Sequence, residues 1–530
     1  MAGKNKIDAL IIGAGHNGLV CAHYLARAGL KVAIYERRNI VGGAAVTEEF
    51  HPGFRNSVAS YTVSLLNPQV IEDMGLKARG LEIVKRPISN FIPIDDGQFL
   101  KLGGGLERTQ EEFKKFSQRD AARLPEYYQR IEAVADVMRD MSVKTPPNPK
   151  GGLKALLQVA LQFWPIAKKG NQLHRDVYDL FTKSVRSFLD GWFENEHVKA
   201  AFGFDAIVGN YAGPDTPGSA YILLHHVFGE VDGEKGAWGH AIGGMGAITQ
   251  AMQRACEELG VEITTDAAVA KVRVSDQRAI GIELEDGTLV DADRVVSNVN
   301  PSLLYKTLIA SEDLDSEFNR SMDGYKSGSG TFRMNVALSE LPNFTALPGI
   351  DVAEHHQSGI IIGSTMDYMD RAYIDAKQYG WSRQPFVEML IPSTLDDSLA
   401  PPGQHVASLF CQQFAPTLPD GRSWQDARIE AADCIIDTVN AYAPNFKASI
   451  LGRMILSPLD LEQKLGLIGG DIMHGQMTLD QMWAARPIMN YGDYRGPLKS
   501  LYMCGAGTHP GGGVTGLPGK NAAREILKDR

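Results

Sequence analysis

Three glycines, Gly13, Gly15 and Gly18, stand in a GxGxxG spacing. They follow a β-prone run at residues 8–12 and open a segment, residues 17–29, whose apolar side chains recur at helical spacing. Glycine here allows a tight turn and lets backbone amides approach a pyrophosphate at the positive end of a helix. A second strand-like run, residues 31–35, ends on Glu36, 23 residues after Gly13, where a carboxylate accepts hydrogen bonds from ribose hydroxyls. Strand, loop, helix, strand and acid in register point to a bound dinucleotide rather than to a glycine-rich turn alone.

The acid is followed by Arg37 and, shortly after, by the pair Gly42 and Gly43, a habit of FAD-binding rather than NAD-binding folds. Far along the chain, residues 501–516 read as a strand and a glycine-rich loop leading into a helix that runs to Leu527. A second helix N-terminus thus faces the same ligand, and its amides and dipole suit a ribityl-pyrophosphate and the negative charge a flavin gains on reduction. From Glu36 to Gly43 the chain resembles the large FAD oxidoreductase group that includes amine oxidases and carotenoid desaturases, with Ala44 and Ala45 where many members carry an arginine. The string GAGTHPGGG at 505–513 resembles the C-terminal signature of phytoene desaturase-like proteins. With GGMG at 243–246, DADRVVSN at 291–298 and GGDIMH at 469–474, the resemblance runs nearly the whole length. It is greatest to the pyridine nucleotide-disulphide oxidoreductase domain-containing proteins that group with carotenoid desaturases and retinol saturase. The resemblance implies FAD as cofactor, held by Gly13, Gly15, Gly18, Glu36, Arg37, Gly42, Gly43, Val269, Gly505, Gly513 and Val514. The last three are implied to lie near the isoalloxazine, and the backbone of Val269 to meet adenine; a plain core valine is the alternative there.

Flavin chemistry asks little of side chains, because the hydride acceptor belongs to the cofactor and the fold has only to lay a substrate carbon against it. Where a proton must also leave the substrate, histidine is the usual acid or base near neutral pH. His474, in a glycine-rich segment ahead of the C-terminal loop, is the candidate for that role, a satisfied structural histidine being the alternative. His509, inside the loop, is expected to shape it. Arg333, Trp238, His240 and Tyr325 are pocket candidates only by their position beside glycine-rich or strand-like segments. No metal is expected: neither histidine has a partner at ligand spacing, and in the pairs His225/His226 and His355/His356 adjacent side chains diverge. Nucleophile-elbow, P-loop and kinase patterns are absent, which removes hydrolase and phosphotransfer readings.

The elements that must position these groups read as an α/β protein: a Rossmann-type FAD-binding domain with a discontinuous α+β substrate domain and a helical insertion. Residues 1–80, 236–301 and 481–530 are assigned to FAD binding, 81–235 to the helical, substrate-domain insertion and 302–480 to the substrate domain. Strands at 261–264, 268–274, 279–284, 288–291 and 294–297 are expected to resume the nucleotide-binding domain. Runs at 331–338, 359–362 and 406–410 and a helix at 424–442 are expected in the substrate domain.

A chain of 530 residues with 44% hydrophobic and 22% charged content has an ordinary globular composition, and its net charge of −10 gives no general attraction for nucleic acid. Five scattered cysteines without a CxxC pair fit a reducing compartment and leave no thiol redox centre. With the first strand starting near Ile7, a cytoplasmic location is expected. Residues 153–166 are too short to span a bilayer, yet they set Leu153, Leu156, Leu157, Ala160, Leu161 and Trp164 at helical spacing between Lys150, Lys154, Lys168 and Lys169. That pattern fits a helix at a peripheral membrane contact, or one packed on its own domain. The expected activity is an FAD-dependent oxidoreductase of dehydrogenase, desaturase or saturase type, moving a hydride between a lipophilic small-molecule substrate and flavin N5. A flavin-dependent isomerase without net redox, and a non-catalytic FAD-containing interaction protein, are the alternatives.

Overall fold

Alternation along the first strand decides how the nucleotide-binding layer is built. In the computed structural model, which describes residues 6–94 and 97–530, strand Ala9–Ile12 turns Ala9 and Ile11 to one face and Leu10 and Ile12 to the other, all buried. The side chains of Lys154, His225 and His226 lie outside the described residues. Val32–Tyr35 and Val295–Ser297 flank the first strand in parallel, and Glu262–Thr264 and Leu501–Met503 complete a five-stranded parallel sheet at its two edges. Helices His16–Arg27, Gly246–Glu257 and Leu517–Lys528 cover the Ala9/Ile11 face.

The Leu10/Ile12 face is covered by a separate three-stranded antiparallel sheet, Val269–Ser275, Arg278–Leu284 and Leu289–Asp291, which contributes Val272 and Ile282. Of the five strands expected to resume the nucleotide-binding domain, only the first and last join its parallel sheet. The middle three cannot, because a parallel neighbour needs a long crossover and these are joined by tight turns. In the first turn Asp276 and Gln277 both take positive φ, 50° and 57°, as a two-residue hairpin requires.

The second large sheet has seven strands in the order Ile450–Leu456, Phe332–Leu338, His405–Phe414, Trp381–Leu390, Gly359–Ile362, Asn90–Pro93 and Phe99–Leu102. Phe332, Met334, Val336 and Leu338 pack with helix Trp424–Tyr442 on one face. The opposite face, carrying Phe386, Phe410 and Ile361, packs under helices that include Gln118–Ser142 and Glu196–Gly203, where Phe113, Tyr127, Phe193 and Phe202 form a close aromatic cluster. Helix Gly152–Ala167 differs from the rest. Leu153 is 85% exposed, Leu156 66%, Leu157 60%, Leu161 64% and Trp164 58%. Among the described residues no helix is long and apolar enough to cross a membrane.

Candidate dinucleotide site and adjoining chamber

The GxGxxG turn leaves the first strand with the Gly13 amide bonded to the Tyr35 carbonyl at 2.8 Å. Glu36, at the end of the second strand, accepts from the Ala14 amide at 2.7 Å and the Arg38 amide at 3.0 Å, so its carboxylate is fixed beside the turn. The second glycine pair docks on the first: the Gly42 amide bonds the Ala14 carbonyl at 2.9 Å, and Gly43 takes a φ of 58° over Gly15. Gly13, Gly15, Glu36, Arg37, Gly43, Val269, Gly513 and Val514 line one continuous groove of about 420 Å³. Gly18, Gly42 and Gly505 stand behind it, where space forbids a side chain. A Cβ on Gly18 would sit 2.4 Å from the Gly13 carbonyl oxygen, and one on Gly505 2.6 Å from that of Asn298.

The groove fits FAD. It offers an acid for ribose, a helix start with no Cβ at Gly15, and the C-terminal glycine loop at Ala506, Gly513 and Val514. His16 Nε2 is buried there without a partner. Glu36 would hold the adenosine ribose, Val269 would border adenine, the Gly13–His16 amides would take the pyrophosphate, and Gly513 and Val514 would flank the ring system. His16 was invisible to the sequence reading because its place in the motif accepts any residue. Burial holds its imidazole down at about 4, against a raising contact with the Gly513 backbone.

His474 also lines the groove, with a left-handed φ of 59°. Burial, then the charge of Arg486 and proximity to His16, lower it to about 4, so the ring is neutral near pH 7. Its Nδ1 is buried without a partner. Two buried ionisable groups hold this loop. Asp471 accepts from the amides of Gly328, Met473 and Gly475 at 2.8, 2.8 and 3.1 Å. Arg486 donates to the carbonyls of Met473, Gly475, Gln481 and Ala506, tying the His474 segment to the C-terminal glycine loop. His509 instead turns out of the groove, its Nε2 3.1 Å from the Met141 carbonyl near the end of helix Gln118–Ser142. Cys504 is buried against Cys21, and all five cysteines are free. Neither Cys504 nor His509 lines the groove.

Beyond Tyr61 and Trp238, which line both spaces, the groove meets a chamber of about 840 Å³. Tyr127, Tyr128, Phe202 and Phe204 form an aromatic wall. Arg333, Phe410 and Glu388 occupy one row across three adjacent strands of the seven-stranded sheet. Tyr61 lies over that row: its ring stacks on Phe410 at 5.2 Å, the Arg333 guanidinium sits 4.6 Å from its centroid, and its hydroxyl donates to Glu388 at 2.5 Å. Burial raises the Glu388 carboxyl, opposed by Tyr61, Arg86 and Arg333, and burial with the Glu388 charge drives Asp205 well above the usual carboxylate range. Of the four pocket candidates, Trp238 lines the junction and Arg333 lies beneath Tyr61. His240 bonds Asp396 at 3.0 Å, and Tyr325 donates to the His474 carbonyl at 2.5 Å. Tyr61, Arg86, Asp205 and Glu388 escaped the sequence reading, since only sheet register and helix packing bring such distant residues together. Among the described residues no group of three or more His, Cys, Asp or Glu side chains is placed to hold a metal.

Comparison with known proteins agrees with this geometry. The family model for flavin containing amine oxidoreductase matches residues 18–331. Pyridine nucleotide-disulfide oxidoreductase domain-containing protein 2 of Mus musculus is 41% identical over 99% of this chain and 94% of its own length. One of the limonene dehydrogenase polypeptides of Castellaniella defragrans is 27% identical over 100% and 96%. The structure of cyclohexylamine oxidase from Brevibacterium oxydans superimposes with a TM-score of 0.56 at 16% identity, covering 99% of both chains, a likeness of fold. With a family model matched over more than half its length and a groove built for the dinucleotide, this chain belongs to the flavin-containing amine oxidoreductase family and is an FAD-dependent oxidoreductase.

Proposed function

We propose that the chain dehydrogenates or saturates a lipophilic small molecule held in the chamber. The observation that carries this reading is the chamber itself: a space of about 840 Å³, walled by Tyr127, Tyr128, Phe202 and Phe204, that shares Tyr61 and Trp238 with the groove. The relative named as a limonene dehydrogenase polypeptide supports it. FAD, when bound, supplies the hydride acceptor or donor. The protein's part is to hold the reacting carbon at the junction, exclude water with the aromatic wall, and move a proton where one is needed. His474, neutral and with a buried Nδ1 that has no partner, is our candidate to accept that proton. The test is organic extraction of the purified holoprotein followed by mass spectrometry. An apolar molecule bound near stoichiometrically is expected; a water-soluble amine in its place would refute the reading.

The exposed face of helix Gly152–Ala167 supports docking at an anionic bilayer surface, where such a substrate resides. Leu153, Leu156, Leu157, Leu161, Phe163 and Trp164 are all exposed, and the exposed Lys150, Lys168 and Lys169 stand at the helix ends. The whole chain carries −10, so attraction comes from this cluster alone and is screened within about 8 Å at physiological salt. Co-sedimentation with phosphatidylserine-containing vesicles should be salt-sensitive and lost in Leu157→Glu and Trp164→Ala with FAD content intact. Equal pelleting of wild type and variants, or none, would assign this face to a protein contact.

A further inference from the structure

The chamber reaches the surface where exposed Lys85, Gly104, Gly105, Gln129, Glu234 and Lys235 line it. Two ion pairs cross that mouth. Lys85 meets Glu234 at 2.8 Å and Lys235 meets Glu132 at 3.0 Å, and all four residues line the chamber. They come from three elements: strand Ile83–Lys85, helix Gln118–Ser142, and a hairpin of strands Glu230–Val231 and Glu234–Lys235. Lys235 also pairs with Asp136 at 2.8 Å, and Asp232 at the hairpin tip pairs with Lys77 at 2.6 Å. Asp232 and Gly233 take positive φ, 49° and 82°, as a two-residue turn requires.

Charge, more than apolar packing, holds this hairpin down. Of residues 230–235 only Val231 is buried. The seven side chains that make the four ion pairs are 34% to 64% exposed. Pairs so exposed contribute little in water and are screened by salt, and a two-stranded hairpin has little stability of its own. Its base, by contrast, is fixed. The Glu230 amide bonds the Ser64 carbonyl at 2.9 Å, and the Gly236 amide bonds the Gly229 carbonyl at 2.8 Å. Just beyond, the Trp238 carbonyl accepts from the Arg86 amide at 3.1 Å, and Gly239 and Val63 exchange two backbone bonds. Gly236, with a φ of 71°, stands between the loosely held part and the fixed part.

Resting on the reading of the chamber given above, we propose that the hairpin at 230–235 is the lid of the chamber. It swings about Gly229 and Gly236, its ion pairs close it, and substrate enters and product leaves beneath it. Closed, it sets paired charges between bulk water and the aromatic wall. Trp238, two residues past the hinge, lines both the chamber and the groove, so the lid ends where the two spaces share a wall. A lid held by weak surface charge opens without disturbing either sheet. That suits a chamber that must exchange a lipophilic molecule and still exclude water during the reaction.

The experiment follows dodecanol entering and leaving the FAD-loaded protein, by stopped flow through the visible difference spectrum of the flavin. A neutral probe removes steering by the rim charges as a cause of any change in rate. Lys85→Gln/Lys235→Gln, which breaks three of the four ion pairs, should speed entry and release together, roughly tenfold. The dissociation constant and FAD content should stay unchanged, because a gate alters both rates alike. Joining Lys85→Cys to Glu234→Cys with a short bifunctional thiosulfonate should slow both rates at least tenfold, and reductant should restore them. The two single-cysteine variants, treated in the same way, should not be slowed. Dodecanol that binds at rates unmoved by the cross-link or by the double variant would overturn the lid and leave the chamber standing. A change in release alone would overturn it too, making the hairpin a ligand contact rather than a gate. If dodecanol does not bind the wild type, the chamber reading fails and the lid falls with it.

Discussion

An added methyl group meets different obstacles at Gly15 and Gly18. At Gly18 the obstacle is the Gly13 carbonyl oxygen at 2.4 Å, a backbone atom that cannot give way without deforming the turn. At Gly15 it is Asn298 Nδ2 at 2.7 Å, the end of a side chain that can swing aside at the loss of its bond to the Gly13 carbonyl. Gly18→Ala should therefore lower the melting temperature, by overpacking of about 1–3 kcal/mol, as well as empty the groove. Gly15→Ala should lose FAD with the melting temperature of the apoprotein nearly unchanged; scanning calorimetry beside flavin absorbance separates the two. Glu36→Ala should also yield colourless folded protein, since the Ala14 and Arg38 amides and the ribose all lose their acceptor. His474→Ala should slow flavin reduction roughly 10²-fold with FAD retained, read by anaerobic stopped flow. Loss of FAD instead would make His474 a structural residue. The motif residues were legible because close backbone approach leaves glycine as its trace; Tyr61, Arg86 and Glu388 leave none, because a long-range junction has no local spacing.

At the scale of elements, His509 shows how a loop and a helix are coupled. It sits in the glycine-rich loop but bonds the Met141 carbonyl, and Asn521 Nδ2 on the C-terminal helix bonds the Ser142 carbonyl at 2.9 Å, so the end of helix Gln118–Ser142 is held from two sides. Burial lowers His509 from an ordinary value near 6.5 to about 4. Between those values the unfolded chain binds the proton and the folded one does not. Stability from this group is thus complete above about pH 6.5 and falls as pH drops toward 4, by at most ~1.4 kcal/mol per pH unit. His509→Gln, which keeps a donor for Met141, should give a shallower loss of stability over that window in urea melts. A slope identical to wild type would show that His509 takes up its proton in the fold. The helix at 424–442 and the strand at 359–362 were legible from periodicity alone and match the observed bounds. The three-stranded sheet was not, because strand-like pattern does not say which sheet a strand joins; the Asp276–Gln277 turn decides that.

Across the whole molecule, the two cavities share a wall at Tyr61 and Trp238, and that wall is where a substrate in one space would meet a cofactor in the other. The parallel sheet brings Gly13, Glu36 and the C-terminal loop together from three distant stretches of chain, while the seven-stranded sheet supplies the floor of the chamber. The first assembly was readable in advance from its fingerprint, and the chamber emerged only in three dimensions. The most direct measurement is anaerobic mixing of the FAD-loaded protein with fractions of a cellular extract, following the flavin absorbance band. Bleaching of the oxidised flavin, or re-oxidation of the previously reduced flavin, by the lipid-soluble fraction and not by the water-soluble amine fraction is the expected result. Bleaching by the amine fraction alone, or conversion of a lipid without any bleaching or net redox change, would contradict a dehydrogenase or saturase acting on a lipophilic substrate.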